Sequence, residues 1–162
     1  VTGTSCALAA KVRNYEIEAA FVAQPFPADG LAAIDAFKEE LTLISPLAWG
    51  AITSARDLGD RTVIAFAAGC SYRRILESWL NHEGLAPGRV MEFASYHAIV
   101  ACVAAGSGVA IVPRSVLAVL GAEHSVCVSA LSGPYAHAQT QLVWRADDDT
   151  PALQALRQQL VA

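Results

Sequence analysis

Apolar and polar positions follow two rhythms along this chain. Tyr72, Ile75, Leu76, Trp79 and Leu80 fall at i, i+3, i+4, i+7 and i+8, predicting an amphipathic helix from Tyr72 to about Glu83. Ser71 is placed to cap it and Gly84 to terminate it. Cys6, Ala9, Ala10 and Arg13 predict an earlier helix ending near Asn14. Ser95 is placed as cap of a nearly all-apolar helix, Tyr96 to Ala105, which should be buried on most sides and which Gly106 ends. Pro113 opens a helix through Leu120, and Thr150-Pro151 forms the N-cap and N1 pair of a last helix with Leu153, Leu156 and Leu160 on one face.

The second rhythm is that of strands. Ala19 to Val22, Thr62 to Phe66, Arg89 to Phe93, Val109 to Val112, Ser125 to Leu131 and Thr140 to Arg145 read as short strands, several of them continuously apolar as buried strands are. Glu40 to Ile44 alternates as a strand. Leu31 to Phe37 is open between helix, which its alanines favour, and strand. Residues 24–30 form a loop by their Pro and Gly content, and 46–60 a longer one with a helical turn near Ser54 to Leu58. Strand followed by helix recurs from end to end, which predicts α/β architecture with a parallel sheet covered by helices.

Composition narrows the classes. The 162 residues are 54% hydrophobic and 16% charged, enough apolar material for a core and against disorder. The longest apolar stretch, Ala98 to Val112, is interrupted by Gly106-Ser107-Gly108 and is short for a membrane span. A net charge of −4 excludes a basic nucleic-acid surface, so this piece is not expected to hold DNA itself. Cys6, Cys70, Cys102 and Cys127 have no zinc-ligand spacing, and no metal or cofactor is expected. No secretion signal opens the chain, and reduced thiols suit the cytoplasm.

Candidate chemistry lies where short polar turns open helices: Thr2-Gly3-Thr4-Ser5, Gly69-Cys70-Ser71-Tyr72 and Ser95-Tyr96-His97. Helix N-termini offer N–H groups without intrahelical partners and partial positive charge, and in open α/β sheets such turns gather at the carboxyl ends of strands. A small anion such as a carboxylate suits them. The plain alternative is that Ser5, Ser71 and Ser95 only cap their helices. Cys70 or Ser71 with His97 has the residue types of a nucleophile and base, but no G-x-S-x-G elbow or orienting carboxylate accompanies them, so an enzyme is not expected. Gly106-Ser107-Gly108 follows a helix and precedes a strand, the wrong order for a dinucleotide loop; it reads as a helix end and tight turn.

The order Glu18-Ala19-Ala20-Phe21-Val22, then Glu39 to Pro46, resembles the effector-binding domain of LysR-type transcriptional regulators, as does Gly69-Cys70-Ser71-Tyr72-Arg73-Arg74 with Leu76-Glu77-Ser78-Trp79. The most specific likeness is Ser95 to Ser115, a helix, Gly-x-Gly, strand and Pro in succession, and Leu142-Val143-Trp144-Arg145 completes a resemblance covering essentially the whole chain. The Cys-Ser-Tyr-Arg-Arg and Ser-Tyr-His pairing is similar to regulators of putrescine utilisation.

The resemblance implies a two-lobed, periplasmic-binding-protein-like (type 2) fold with mostly parallel sheets. Lobe one would take residues 1–60 and 132–162, lobe two residues 61–131. It also turns Leu31 to Phe37 toward strand. The implied effector site comprises Gly3, Thr4, Ser5, Gln24, Gly69, Cys70, Ser71, Tyr72, Ser95, Tyr96 and His97. The effector would be a carboxylate- or amine-bearing metabolite. A solute-binding protein of similar fold and a small Cys or Ser hydrolase are the alternatives. The chain opens on residues matching the end of the family's second strand, so the first strand and helix of lobe one are expected to be missing, exposing apolar surface. The family's winged helix-turn-helix, through which DNA is bound, is likewise expected to be missing from this piece, and full-length members are expected to form dimers or tetramers.

Overall fold

The computed structural model describes residues 1–161, with side-chain exposure through residue 160. It divides into two compact units. Unit one holds residues 1–38, 69–71 and those from 139 onward; unit two holds 39–68 and 72–138. The backbone therefore passes between them at 38–39, 68–69, 71–72 and 138–139.

In unit one, helix α1 (Ser5–Arg13) starts at Thr4, whose Oγ1 accepts from the Ala7 N–H at 3.3 Å, and ends with Lys11 and Arg13 in the last turn, where cations complement the dipole. Strand β1 (Ala19–Ala23) runs antiparallel to β7 (His137–Arg145), with Ala19 opposite Trp144 and Ala23 opposite Thr140. The first half of β2 (Leu31–Pro46) lies beside β7, where Gln141 Nε2 donates to Asp35 Oδ1 at 2.7 Å. Val12, Val22 and Val143 form one core cluster, and Leu142, Trp144 and Leu153 of helix α5 (Pro151–Val161) form another. Arg145 fastens the turn after α1: its Nη1 donates to the carbonyls of Val12 and Ile17 while its guanidinium lies 4.3 Å over the Tyr15 ring. Leu153 is buried in α5, but Leu156 is exposed, so the apolar stripe expected there is narrower than its leucines suggest.

In unit two, the second half of β2 is buried from Leu41 through Pro46, because β5 (Ala110–Pro113) and β6 (Val126–Ala130) both pair with it. Strand β3 (Val63–Ala65) runs parallel to β4 (Val90–Glu92), and Val63 bridges in parallel to Val109. Gly108 permits that approach: a Cβ there would lie 2.3 Å from the Thr62 carbonyl oxygen. Helix α2 (Ser71–His82) buries Ile75, Leu76 and Leu80 against Leu41, Ile52 and Val63, the face its spacing predicts. Helix α3 (Tyr96–Ala104) and α4 (Arg114–Leu120) pack Ile99, Val100, Val103 and Leu117 around Ile44, Ile64 and Val112.

The α/β architecture agrees with the sequence; three details differ. The units divide at 38–39 and 138–139 where lobe boundaries at 60–61 and 131–132 were expected, because Glu39–Pro46 pairs with β5 and β6, and Ile52, Ala55, Leu58 and Ala138 share a core with Leu76. Pairing is not mostly parallel: the ladders on β2 and β7 described above are antiparallel, since their neighbours come from distant parts of the chain instead of successive strand–helix crossovers. Helix α3 is buried on one face only, because Ala101 and Ala104 supply its apolar look at exposed positions, where their small side chains leave little apolar area in water. Leu31 to Phe37, open on residue propensity alone, is strand throughout as the resemblance implies, with neighbouring strands overriding alanine propensity.

Candidate functional site

The expected site residues are placed in two groups, one on each unit. In unit one, three stretches distant in sequence meet at the start of α1. Gly69 adopts φ +91°, and a Cβ built on it would lie 3.2 Å from Thr4 Oγ1 and 3.5 Å from Cys6 Cβ. The Cys6 N–H points to the Gly69 carbonyl at 3.4 Å. Ser5 and Ser71 converge on one residue of β1: Ser5 Oγ accepts from the Ala23 N–H at 3.2 Å, and the Ser71 hydroxyl lies against the Ala23 carbonyl and 3.1 Å from that of Pro25. Gln24, exposed, is held between them by its N–H bond to the Gln139 carbonyl at 2.8 Å. Gly3 is exposed and Cys70 half-buried at the same turns.

Two capping assignments change. Thr4, not Ser5, caps α1, because Ser5 is already helical and its hydroxyl is spent on Ala23. Ser71 is the first residue of α2, not its N-cap; it is 1% exposed, and its proton faces backbone carbonyls. A serine nucleophile must hand that proton to a base, so Ser71 is poorly set for the hydrolytic alternative.

In unit two, Ser95 caps α3 as expected, its Oγ accepting from the Ala98 N–H at 3.3 Å. Tyr96 packs edge-on to Phe66 with ring centroids 4.8 Å apart, and its centroid is 6.2 Å from that of Tyr72. The Tyr72 hydroxyl donates to Glu39 Oε2 at 2.5 Å. Ser95, Tyr96 and exposed His97 join Phe66, Ser115 and Val119 around an open pocket of about 490 Å³, within the range of small-molecule sites. Below it, Arg73 lies 2.8 Å from Glu77 and also contacts Glu92; these carboxylates, Glu77 foremost, hold the guanidinium charged above its ordinary pKa against the opposing effect of burial.

Sequence reasoning missed Phe66, Glu39 and the residues of α4. Phe66 was recoverable, since it ends a strand and ligand sites gather at strand carboxyl ends. Glu39 and α4 gave no such signal: one is a charge within a strand, the other a short, mostly apolar helix after Pro113.

Comparison with known proteins agrees with this geometry. The LysR substrate binding domain matches over residues 1–162. The HTH-type transcriptional regulator GltR of Bacillus subtilis (strain 168) is 35% identical over 156 residues, which is 96% of this chain and 53% of GltR. The effector binding domain of QuiR in complex with shikimate superposes with a TM-score of 0.78 at 20% identity, covering 96% of this chain and 76% of that one. Full-length CbnR complexed with its target DNA gives 0.74 at 19%, covering 99% of this chain and 57% of CbnR. The chain thus spans about half the length of the curated relatives it matches. These matches lend no support to the narrower likeness to putrescine-utilisation regulators.

Proposed function

Because this chain belongs to the LysR substrate-binding domain family, we propose that it senses a small-molecule effector within a longer LysR-type transcription regulator, and that occupancy alters how the regulator engages DNA. DNA contact falls to a segment outside these 162 residues, consistent with their net charge of −4, and the whole regulator works as a cytoplasmic dimer or tetramer. No helix among the described residues is long and apolar enough to cross a membrane.

The observation that carries this reading is the meeting of residues 3–5, 23–25 and 69–71 at the start of α1. The candidate effector residues on unit one are Gly3, Thr4, Ser5, Gln24, Gly69, Cys70 and Ser71, and those on unit two are Tyr72, Ser95, Tyr96 and His97. Ser5 and Ser71 act by positioning, since their hydroxyls hold Ala23. Thr4, Gln24 and His97, which are more exposed, are the groups placed to touch effector. Helix N-termini at Thr4 and Ser95 favour a carboxylate, and an amine on the same metabolite is compatible with carboxylates such as Glu39. Effector then acts by binding one conformation better than another. No catalytic step belongs to this reading.

A thermal-shift panel under reducing conditions, with glutamate, shikimate and putrescine as probes, tests it. A ligand at a hundredfold excess over its Kd stabilises by about 2.7 kcal/mol, visible as a shift of several degrees. Thr4→Ala and His97→Ala should each weaken that shift. A panel without any shift, or a shift that neither variant changes, would defeat the assignment.

A further inference from the structure

Two cysteines far apart in sequence lie on adjoining turns of unit one. Cys6 follows Ser5, and Cys70 precedes Ser71; those two serines bond the N–H and the carbonyl of the same residue, Ala23. Their flanks are thereby fixed relative to each other. The Cys6 N–H is 3.4 Å from the Gly69 carbonyl oxygen, and Cys6 Cβ is 3.5 Å from where a Gly69 Cβ would stand. Standard backbone dimensions then set an upper bound of about 8 Å on the separation of the two cysteine Cα atoms, a bound that takes in the roughly 4.4–6.8 Å span of disulfides. Both residues are half-buried, which leaves each partly open to a small oxidant. Cys102 and Cys127 lie in unit two, where Cys102 packs beside Ile99 and Val103, and they serve as internal controls.

We infer that Cys6 and Cys70 are an oxidisable pair that a hydroperoxide closes to a disulfide across the turns at 5–6 and 69–71. One thiol attacks the peroxide, breaking the O–O bond to give a sulfenic acid and releasing water or an alcohol. The second thiol displaces the sulfenic hydroxyl, forming the S–S bond and releasing water. Two thiols supply the two electrons, and a dithiol returns the pair to its starting state. The modification stands by itself; only its consequence, locking turns that hold effector, rests on the proposed function.

The test uses the 162-residue chain treated with a few equivalents of hydrogen peroxide, then denatured, alkylated and digested with trypsin. Accessible thiols should fall from four to two, and Val1–Lys11 should be found linked to Thr62–Arg73 in a protein that remains monomeric on a non-reducing gel. Dithiothreitol should restore all four, and Cys6→Ser or Cys70→Ser should abolish the link. Oxidation that stops at sulfinic acid, a link through Cys102 or Cys127, or a link between chains would overturn the pair. Because the map uses no ligand and the effector panel is run reduced, failure of one leaves the other standing.

Discussion

Ser71 in unit one and Ser95 in unit two look alike in sequence: each stands before an apolar helix at the end of a polar turn. Their hydroxyls do opposite things. Ser95 accepts from the Ala98 N–H and stays exposed, an N-cap whose bond is local. Ser71 is buried and turned away from its own helix toward the carbonyls of Ala23, the last residue of β1, and of Pro25 just beyond it. The difference teaches that a helix-start serine is claimed by whichever backbone group lacks a partner there. At residue 95 that group is an orphan N–H; at residue 71 it is a carbonyl from a distant strand.

Substitutions can break or sharpen this contrast. Ser71→Asp should be the most damaging, costing about 3–5 kcal/mol in urea unfolding, because a carboxylate would face two carbonyls. Ser95→Asp should be tolerated, since aspartate caps helices and favours the positive dipole end. Equal tolerance at both sites would erase the distinction. Ser71→Ala should cost about 0.5–1.5 kcal/mol by removing the buried hydroxyl's bonds to the Ala23 and Pro25 carbonyls, and Ser95→Ala about 1 kcal/mol.

Two glycines, Gly69 before α2 and Gly106 after α3, sharpen the contrast further. Gly69 and Gly106 have nearly the same φ, +91° and +88°, so alanine meets the same backbone strain at each. Only Gly69 has a neighbour, Thr4 Oγ1, within the reach of a new Cβ. Gly69→Ala should therefore be the more destabilising, by about 1 kcal/mol in the same assay.

The smallest effect concerns a third cap. Asp57 Oδ2 accepts from the Ser54 N–H at 2.9 Å and the Thr53 N–H at 3.1 Å, bonds that lower its pKa below the ordinary value. Its contribution is thus present above the unfolded aspartate pKa and is lost as pH falls through the lower folded value. Thermal melts taken downward from about pH 4 should lose less stability in Asp57→Asn than in the parent.

Elements whose stability is local are legible in the amino-acid sequence alone. The face of α2 follows from the spacing of Tyr72, Ile75 and Leu76, and Gly108 from a turn squeezed between helix and strand. What depends on neighbours is not legible there. Leu31 to Phe37 has helical alanines but strand partners, and α3 looks wholly buried because alanine reads as apolar even in water. The site divides the same way: the turns at 3–5, 69–71 and 95–97 stand out because polar residues open helices there. Phe66 and Glu39 escape notice because their roles exist only once Tyr96 and Tyr72 stand beside them. The roles of Ser5 and Ser71 are misread because Ala23 is invisible from either.

The repeated passage of the backbone between the two units has a consequence for biosynthesis. As the nascent chain leaves the ribosome, β1 emerges early, yet its partner β7 emerges only after the whole of unit two has been translated. Unit two can complete its sheet while unit one still shows an unpaired strand edge and an unfilled core. Unit one therefore forms last, and it is the one for which a chaperone, or a protease, has the longest opportunity.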